Sequence, residues 1–198
     1  VQSNALADVL SLSFGWNNMV VGIVTAILVG IVIIGGIKRI GKVAERIVPI
    51  MAVIYFFGAL AILITHINVI PQVLSQIVSS AFNGMAATGG FAGATVMVVI
   101  RHGFSRGVFS NEAGMGTSPM AHATAQTDHP ARQGVWGIFE VFIDTIVMCT
   151  MTGLVIMVTG TLTSGEVGAS LTALSFGQGL PGPGDLIVTI STAFFAYT

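Results

Sequence analysis

The chain has 198 residues, of which 54% are hydrophobic and only 8% are charged. Soluble domains carry about 25% charged residues, so this composition indicates a polytopic membrane protein. The net charge of −1 lacks the excess of basic residues that is typical of nucleic-acid-binding proteins. The chain opens without a basic segment typical of a signal peptide and stops within an apolar run. We therefore expect residues 1–198 to be a single membrane domain that is truncated at both ends.

The first predicted elements are two apolar segments. Residues 18–37 contain no charged residue. As a helix, about 20 residues at 1.5 Å each span the hydrocarbon layer. A basic stretch, residues 38–46, leads to the second segment, residues 47–67. Pro49 falls in the first turn of that segment, where its missing N–H costs little.

A short amphipathic element follows. Residues 71–82 place their apolar side chains at helical spacing on one face; these are Val73, Leu74, Ile77, Val78 and Ala81. Such a pattern is typical of a helix that lies at the membrane interface.

The third segment, residues 85–100, is short and rich in glycine. As a helix it would reach only about 24 Å, and unwinding is cheapest at TGGFAG, residues 88–93, because glycine tolerates non-helical dihedral angles. A glycine-interrupted segment points to a transporter binding site, with carbonyls for an ammonium group and a helix N-terminus for a carboxylate. The candidate substrate-binding residues are Thr88, Gly89, Gly90, Phe91 and Gly93. The alternative is close helix packing at small residues.

A polar block, residues 103–130, follows and is predicted to be a structured connector. Ser118 before Pro119 predicts a helix N-cap, and Asp128 before Pro130 predicts another at the start of the fourth segment, residues 134–160. Asn111 and the following Glu112 are expected to brace this junction.

Two carboxylates lie within the fourth segment. Glu140 and Asp144 are four residues apart, and carboxylates at membrane depth face the protein interior. They are candidates for cation coordination or a proton relay, and the alternative is pairing with Arg101 or Arg106. A metalloenzyme that uses His122 and His129 is a further alternative, although the spacing of these histidines matches no compact metal-ligand motif.

A turn-rich stretch, GQGLPGPGD, precedes the fifth segment, residues 185–198. The basic residues test this order of crossings, because cytoplasmic loops carry an excess of Lys and Arg. All seven fall in two connectors that the crossings place on one side: Lys38, Arg39, Lys42, Arg46, Arg101, Arg106 and Arg132. We therefore expect the polar block to be cytoplasmic.

The polar block and the FEVFIDTIVMCT stretch after it resemble the alanine or glycine:cation symporters, the sodium:alanine symporter family. The likeness rests on RG-x-FSNEAG-x-G, which contains Arg106, Asn111 and Glu112, together with FIDT and the upstream TGGFAG.

The resemblance implies an all-α bundle of inverted repeats similar to the leucine transporter, of which five helices, four to eight, are present. The third segment is then a broken helix. It also implies a multi-pass protein of the cell membrane that is not an enzyme and needs no cofactor. The expected partners are sodium, a small neutral amino acid such as alanine or glycine, and lipid. The family's usual sodium site involves the eighth helix, so Thr198 joins Asp144 and Glu140 as a cation candidate. A proton- or cation-coupled carrier or channel for another solute is the alternative.

Overall fold

The computed structural model describes residues 2–83, 92–111, 116–182 and 184–197. Within these ranges every regular element is a helix, so the expected all-α class is confirmed there. In chain order the helices are α1 (Gln2–Phe14), α2 (Asn18–Ile33), α3 (Ile37–Thr65), α4 (Ile70–Asn83), α5 (Ala92–Ser110), α6 (Thr117–His122), α7 (Pro130–Val141), α8 (Cys149–Val158), α9 (Gly168–Gly179) and α10 (Gly184–Tyr197). The chain forms two compact units: one comprises Val1–His66 with Met151–Thr198, and the other comprises Ile67–Thr150.

The start of α2 agrees with the sequence, whereas its end does not. The Asn17 side chain accepts a hydrogen bond from the Met19 N–H at 2.8 Å and caps the helix, as side-chain oxygens do at helix starts. The helix stops at Ile33, four residues before the predicted end. Gly36 has φ +73°, a left-handed conformation that suits glycine and ends the helical path.

Helix α3 corrects the predicted second segment. It begins at Ile37, so the basic stretch is helical and is not a loop. Pro49 consequently lies inside the helix and not in its first turn. There the ring removes one i→i−4 hydrogen bond, which the long apolar helix tolerates.

The predicted interfacial helix is confirmed as a helix in α4, although its position in a membrane stays a prediction. Helix α5 runs ten residues beyond the predicted end of the third segment. Arg101 and Arg106 therefore belong to a helix, and the polar block begins within that helix.

Both predicted N-caps of the polar block are wrong by one or two residues. Helix α6 has Gly116 at its N-cap with φ +80°, a conformation that Ser118 would adopt only at a cost. Helix α7 is capped by His129, which accepts a hydrogen bond from the Ala131 N–H at 3.2 Å. Asp128 instead forms an i,i+4 ion pair with Arg132 at 3.0 Å.

The unit that contains both chain termini has its core around Phe176 of α9, which is fully buried. The Phe176 ring lies 5.1 Å from that of Tyr55 in α3. The Tyr55 hydroxyl is 2.6 Å from that of Thr152 in α8, and Ser13 of α1 is 2.7 Å from Thr189 of α10. Hydroxyl hydrogen bonds therefore tie helices together inside this unit.

Two of its helices were not predicted. Helix α1 occupies the unassigned N-terminal residues. Helix α9 lies in the connection between the fourth and fifth segments, and five of its residues are buried: Ser170, Ala173, Ser175, Phe176 and Gly179. Apolar and polar residues are not separated onto opposite faces of α9, so the periodicity of the sequence does not reveal this helix.

Two described helical runs are long and apolar enough to cross a membrane, Lys38–Thr65 and Pro130–Val158. Asn18–Ile33 and Gly184–Phe194 are shorter apolar helices. The number of five crossings stays a prediction.

Candidate functional site

The predicted substrate-binding residues lie mostly outside the described part of the chain. Residues 88–91, that is Thr88, Gly89, Gly90 and Phe91, fall there, as do the motif residue Glu112 and the cation candidate Thr198. Gly93 is the second residue of α5. The described helix thus begins directly after the TGGF tetrapeptide, and the break at these glycines stays a prediction.

Two of the three motifs that carried the family resemblance meet in the structure. The Thr145 hydroxyl of FIDT donates a hydrogen bond of 2.7 Å to the Asn111 side-chain oxygen of SNEAG. The Asn111 amide in turn donates to the Gly107 carbonyl at 2.9 Å, one turn back in the chain. Asn111 therefore links the end of α5 to the helix of the fourth segment. A bracing role for Asn111 and Glu112 at this junction stays a prediction.

The fourth segment is not a regular α-helix around these contacts. Between α7 and α8 the backbone widens to i→i+5 hydrogen bonding over Phe142–Met148, and the Cys149 N–H donates to the Asp144 carbonyl. We call Phe142–Met148 the wide turn. Such turns are frequent at functional sites because they redirect side chains and change backbone pairing.

Asp144 lies at the second residue after the start of the wide turn and is the middle residue of the 29-residue run Pro130–Val158. A carboxylate near the centre of a membrane helix is costly and commonly functional. The wide turn begins between Glu140, in α7, and Asp144.

Glu140 is paired with His122. Its carboxylate lies 3.2 Å from His122 Nε2, with side-chain exposures of 64% and 27% respectively. The Gln133 side-chain nitrogen is 2.6 Å from His122 Nδ1. An amide nitrogen only donates, so Nδ1 accepts and Nε2–H donates to Glu140. This contact replaces the expected pairing of Glu140 with Arg101 or Arg106, whereas pairing of Asp144 with either arginine stays a prediction.

Both histidines of the polar block that were considered as metal ligands make polar contacts with protein groups. His122 is held by Gln133 and Glu140, and His129 caps α7. Across the described ranges, no three His, Cys, Asp or Glu side chains are grouped in a way that could hold a metal ion. Both histidines therefore have structural contacts that do not require a metal.

Sequence reasoning missed Thr145 and Gln133 as partners. Thr145 is 34 residues from Asn111, and Gln133 is 11 residues from His122. No local spacing rule reports such pairs. The only available signal was that Thr145 directly follows Asp144 in an otherwise apolar stretch.

Comparison with known proteins identifies the family of the chain. The sequence profile of the sodium:alanine symporter family matches residues 1–198, the whole chain. The chain belongs to the sodium:alanine symporter family.

Three relatives of the chain have names that state the solute they carry. The sodium/alanine symporter AgcS of Methanococcus maripaludis is 46% identical over 202 residues, which cover 100% of this chain and 44% of AgcS. The sodium/proton-dependent alanine carrier protein of Bacillus sp. is 37% identical over 213 residues, or 100% of this chain and 47% of the carrier. The probable sodium/glutamine symporter GlnT of Bacillus subtilis is 42% identical over 176 residues, or 88% of this chain and 36% of GlnT.

The chain therefore spans less than half the length of these three relatives. Membership of a transporter family and the long apolar helices together indicate a membrane protein.

Proposed function

We propose that the protein containing this chain is a secondary transporter that carries a small neutral amino acid, alanine or glycine, together with sodium across the cell membrane. The observation that carries the proposal is the family match over the whole chain. We further propose that its helices belong to an inverted-repeat bundle with five crossings in residues 1–198. The all-helical described ranges and the two long apolar helices support this fold.

The proposed substrate site is the TGGF tetrapeptide and the first turn of α5. The described α5 starts at Ala92, and the free N–H groups and dipole of a helix N-terminus attract a carboxylate. Gly89 and Gly90 directly precede this start. Small side chains there would let the backbone approach a ligand closely.

The proposed cation element is Asp144 with the wide turn. The carboxylate sits at mid-helix, and the Thr145 contact with Asn111 attaches the same turn to α5. A cation bound near Asp144 would therefore act on the helix that follows the substrate site. One relative is named for both sodium and protons, so a proton is the alternative coupling ion.

The substrate site is tested with Gly90→Leu in the full-length protein. Leucine is tolerated in a bilayer, so the protein should still insert, while initial-rate alanine uptake should fall steeply. A left-handed conformation at this position would add about 1 kcal/mol or more of strain. Gly93→Ala, one residue into α5, should be milder.

Gly103→Leu is the matched control in the same helix, because no described atom lies within 4 Å of a Cβ added at Gly103. Surface abundance is measured beside uptake for each variant. Normal alanine affinity and rate in Gly90→Leu would show that these glycines serve helix packing. Competition by glycine and glutamine then ranks the substrates.

The cation element is tested with Asp144→Asn, against Glu140→Gln as control. If Asp144 binds the ion, the half-saturating sodium concentration rises at normal protein abundance. If Asp144 only braces the helices, abundance falls while sodium dependence is kept. Uptake driven by a pH gradient without sodium separates proton coupling. A variant unchanged in both properties would remove Asp144 from the proposal.

A further inference from the structure

The N-terminal part of α3 presents a row of basic side chains. Lys38, Arg39, Lys42 and Arg46 are all exposed. At 100° per residue they lie within an arc of about 100° and extend along about 12 Å of the axis. We call these four residues the basic stripe.

The opposite side of the same turns is apolar and partly buried. The partly buried residues recur at i, i+3, i+4 and i+7; they are Ile40, Val43, Ala44 and Ile47. This spacing marks the face of an amphipathic helix that packs against protein. The packing of that face fixes the rotation of α3 and turns the basic stripe outward.

The charge of the stripe is not neutralised by neighbouring acids. Glu45 is the single acidic residue between positions 38 and 46, so four cations and one anion leave a charge of +3. The ion pairs found among the described residues are His122–Glu140 and Arg132–Asp128. Neither pair involves the stripe.

The length of α3 places the stripe relative to the hydrocarbon layer. The run Lys38–Thr65 has 28 residues and is about 42 Å long, which exceeds a hydrocarbon layer of about 30 Å by about 12 Å. Residues 47–65 carry no charge and span about 28 Å. The uncharged part therefore matches the hydrocarbon, and the stripe lies at the level of the headgroups.

We propose that the basic stripe is a binding surface for anionic phospholipid headgroups. Guanidinium groups bind phosphate oxygens in a bidentate manner, and lysines add point charges. Clusters of basic residues next to a membrane helix bind anionic lipid through such contacts. The stripe would anchor this end of α3 to the anionic leaflet, whatever solute the protein carries.

The experiment measures lipid retained by purified, delipidated full-length protein in native mass spectrometry. The protein is titrated with phosphatidylglycerol or with phosphatidylcholine. The test variant is Lys38→Gln with Lys42→Gln, since glutamine keeps helix propensity. The control, Arg101→Gln with Arg132→Gln, removes the same charge elsewhere.

Wild type should bind phosphatidylglycerol more tightly than phosphatidylcholine. The stripe variant should bind phosphatidylglycerol on the order of 25-fold more weakly, given about fivefold per basic residue near an anionic lipid, and the control should not change. Lys38→Arg with Lys42→Arg should keep the affinity. Added KCl should weaken wild-type binding, because salt screens exposed charges.

Three results would overturn the proposal. Equal wild-type affinity for the two lipids would deny headgroup selection, and this comparison needs no variant. Unchanged phosphatidylglycerol binding in the stripe variant would place the lipid elsewhere. Displacement of the lipid by potassium phosphate, beyond KCl of equal ionic strength, would assign the stripe to a soluble anion.

Discussion

Gly184, the first residue of α10, is a position where neighbouring backbone leaves little room for a side chain. A Cβ added there would lie 2.9 Å from the Leu180 Cβ and 3.0 Å from the Phe176 carbonyl carbon, and closer still to the Phe176 oxygen. That oxygen accepts the hydrogen bond from the Leu180 N–H at 3.0 Å that closes α9. Since the obstacle includes backbone, Gly184→Ala must open the turn between α9 and α10.

The cost of this change follows from its position. Phe176 is fully buried and its ring contacts Tyr55, so a shift at the turn reaches the core of that unit. Overpacking a well-packed core costs about 1–3 kcal/mol, which lowers the folded-to-unfolded ratio by roughly 5- to 150-fold. Gly179→Ala should cost less, because its Cβ would meet only the Ile62 side chain, at 2.8 Å.

Gly153→Ala in α8 is the matched control. No described atom lies within 4 Å of its added Cβ, so alanine should be neutral or should stabilise the helix by up to about 1 kcal/mol. The assay heats detergent-solubilised full-length protein and measures the folded fraction by size-exclusion chromatography. If Gly184→Ala and Gly153→Ala have the same midpoint, the turn is less tightly packed than described and the reasoning fails.

Three further predictions follow from single contacts and from topology. Thr145→Val should destabilise the protein by about 1 kcal/mol, the net value of a hydrogen bond, because it removes the donor to Asn111; Thr145→Ser should restore the thermal midpoint, and equal midpoints for both variants would contradict the contact. In a background without native cysteine, a cysteine at Ser164 should react with an impermeant thiol reagent from outside and one at Thr127 should not; the reverse labelling would invert the topology. His129→Ala should lower the same midpoint by about 1 kcal/mol, whereas His129→Asn should not, because asparagine is a strong N-cap; equal loss in both would exclude capping.

Sequence reasoning worked best where local chemistry decides the structure. The first apolar segment is predicted to begin at residue 18, and α2 begins there. The apolar spacing after residue 70 predicts α4, and the turn-rich GPGD predicts a helix from Asp185, one residue after the observed start of α10 at Gly184. Capping and amphipathic spacing act within a few residues, so a short window of sequence contains the needed information.

It failed where a polar residue had several local options. The Pro130 signal was correct, but His129 caps α7 while Asp128 pairs with Arg132. Asp128 is a residue type preferred at an N-cap, but its carboxylate pairs with Arg132 instead. Likewise, Gly116 is found in place of Ser118 at the start of α6.

Composition, the length of the apolar runs and the SNEAG and FIDT motifs are sufficient to identify a membrane protein of the sodium:alanine symporter family. Only the tertiary structure shows that Asn111 contacts Thr145, that Glu140 pairs with His122, and that the fourth segment contains the wide turn. The hydropathy of a segment is the sum of the values of its consecutive residues, so it can be read directly from the sequence. A hydrogen bond between residues 34 positions apart forms only when the fold brings its donor and acceptor within 3 Å, and no local pattern encodes that distance.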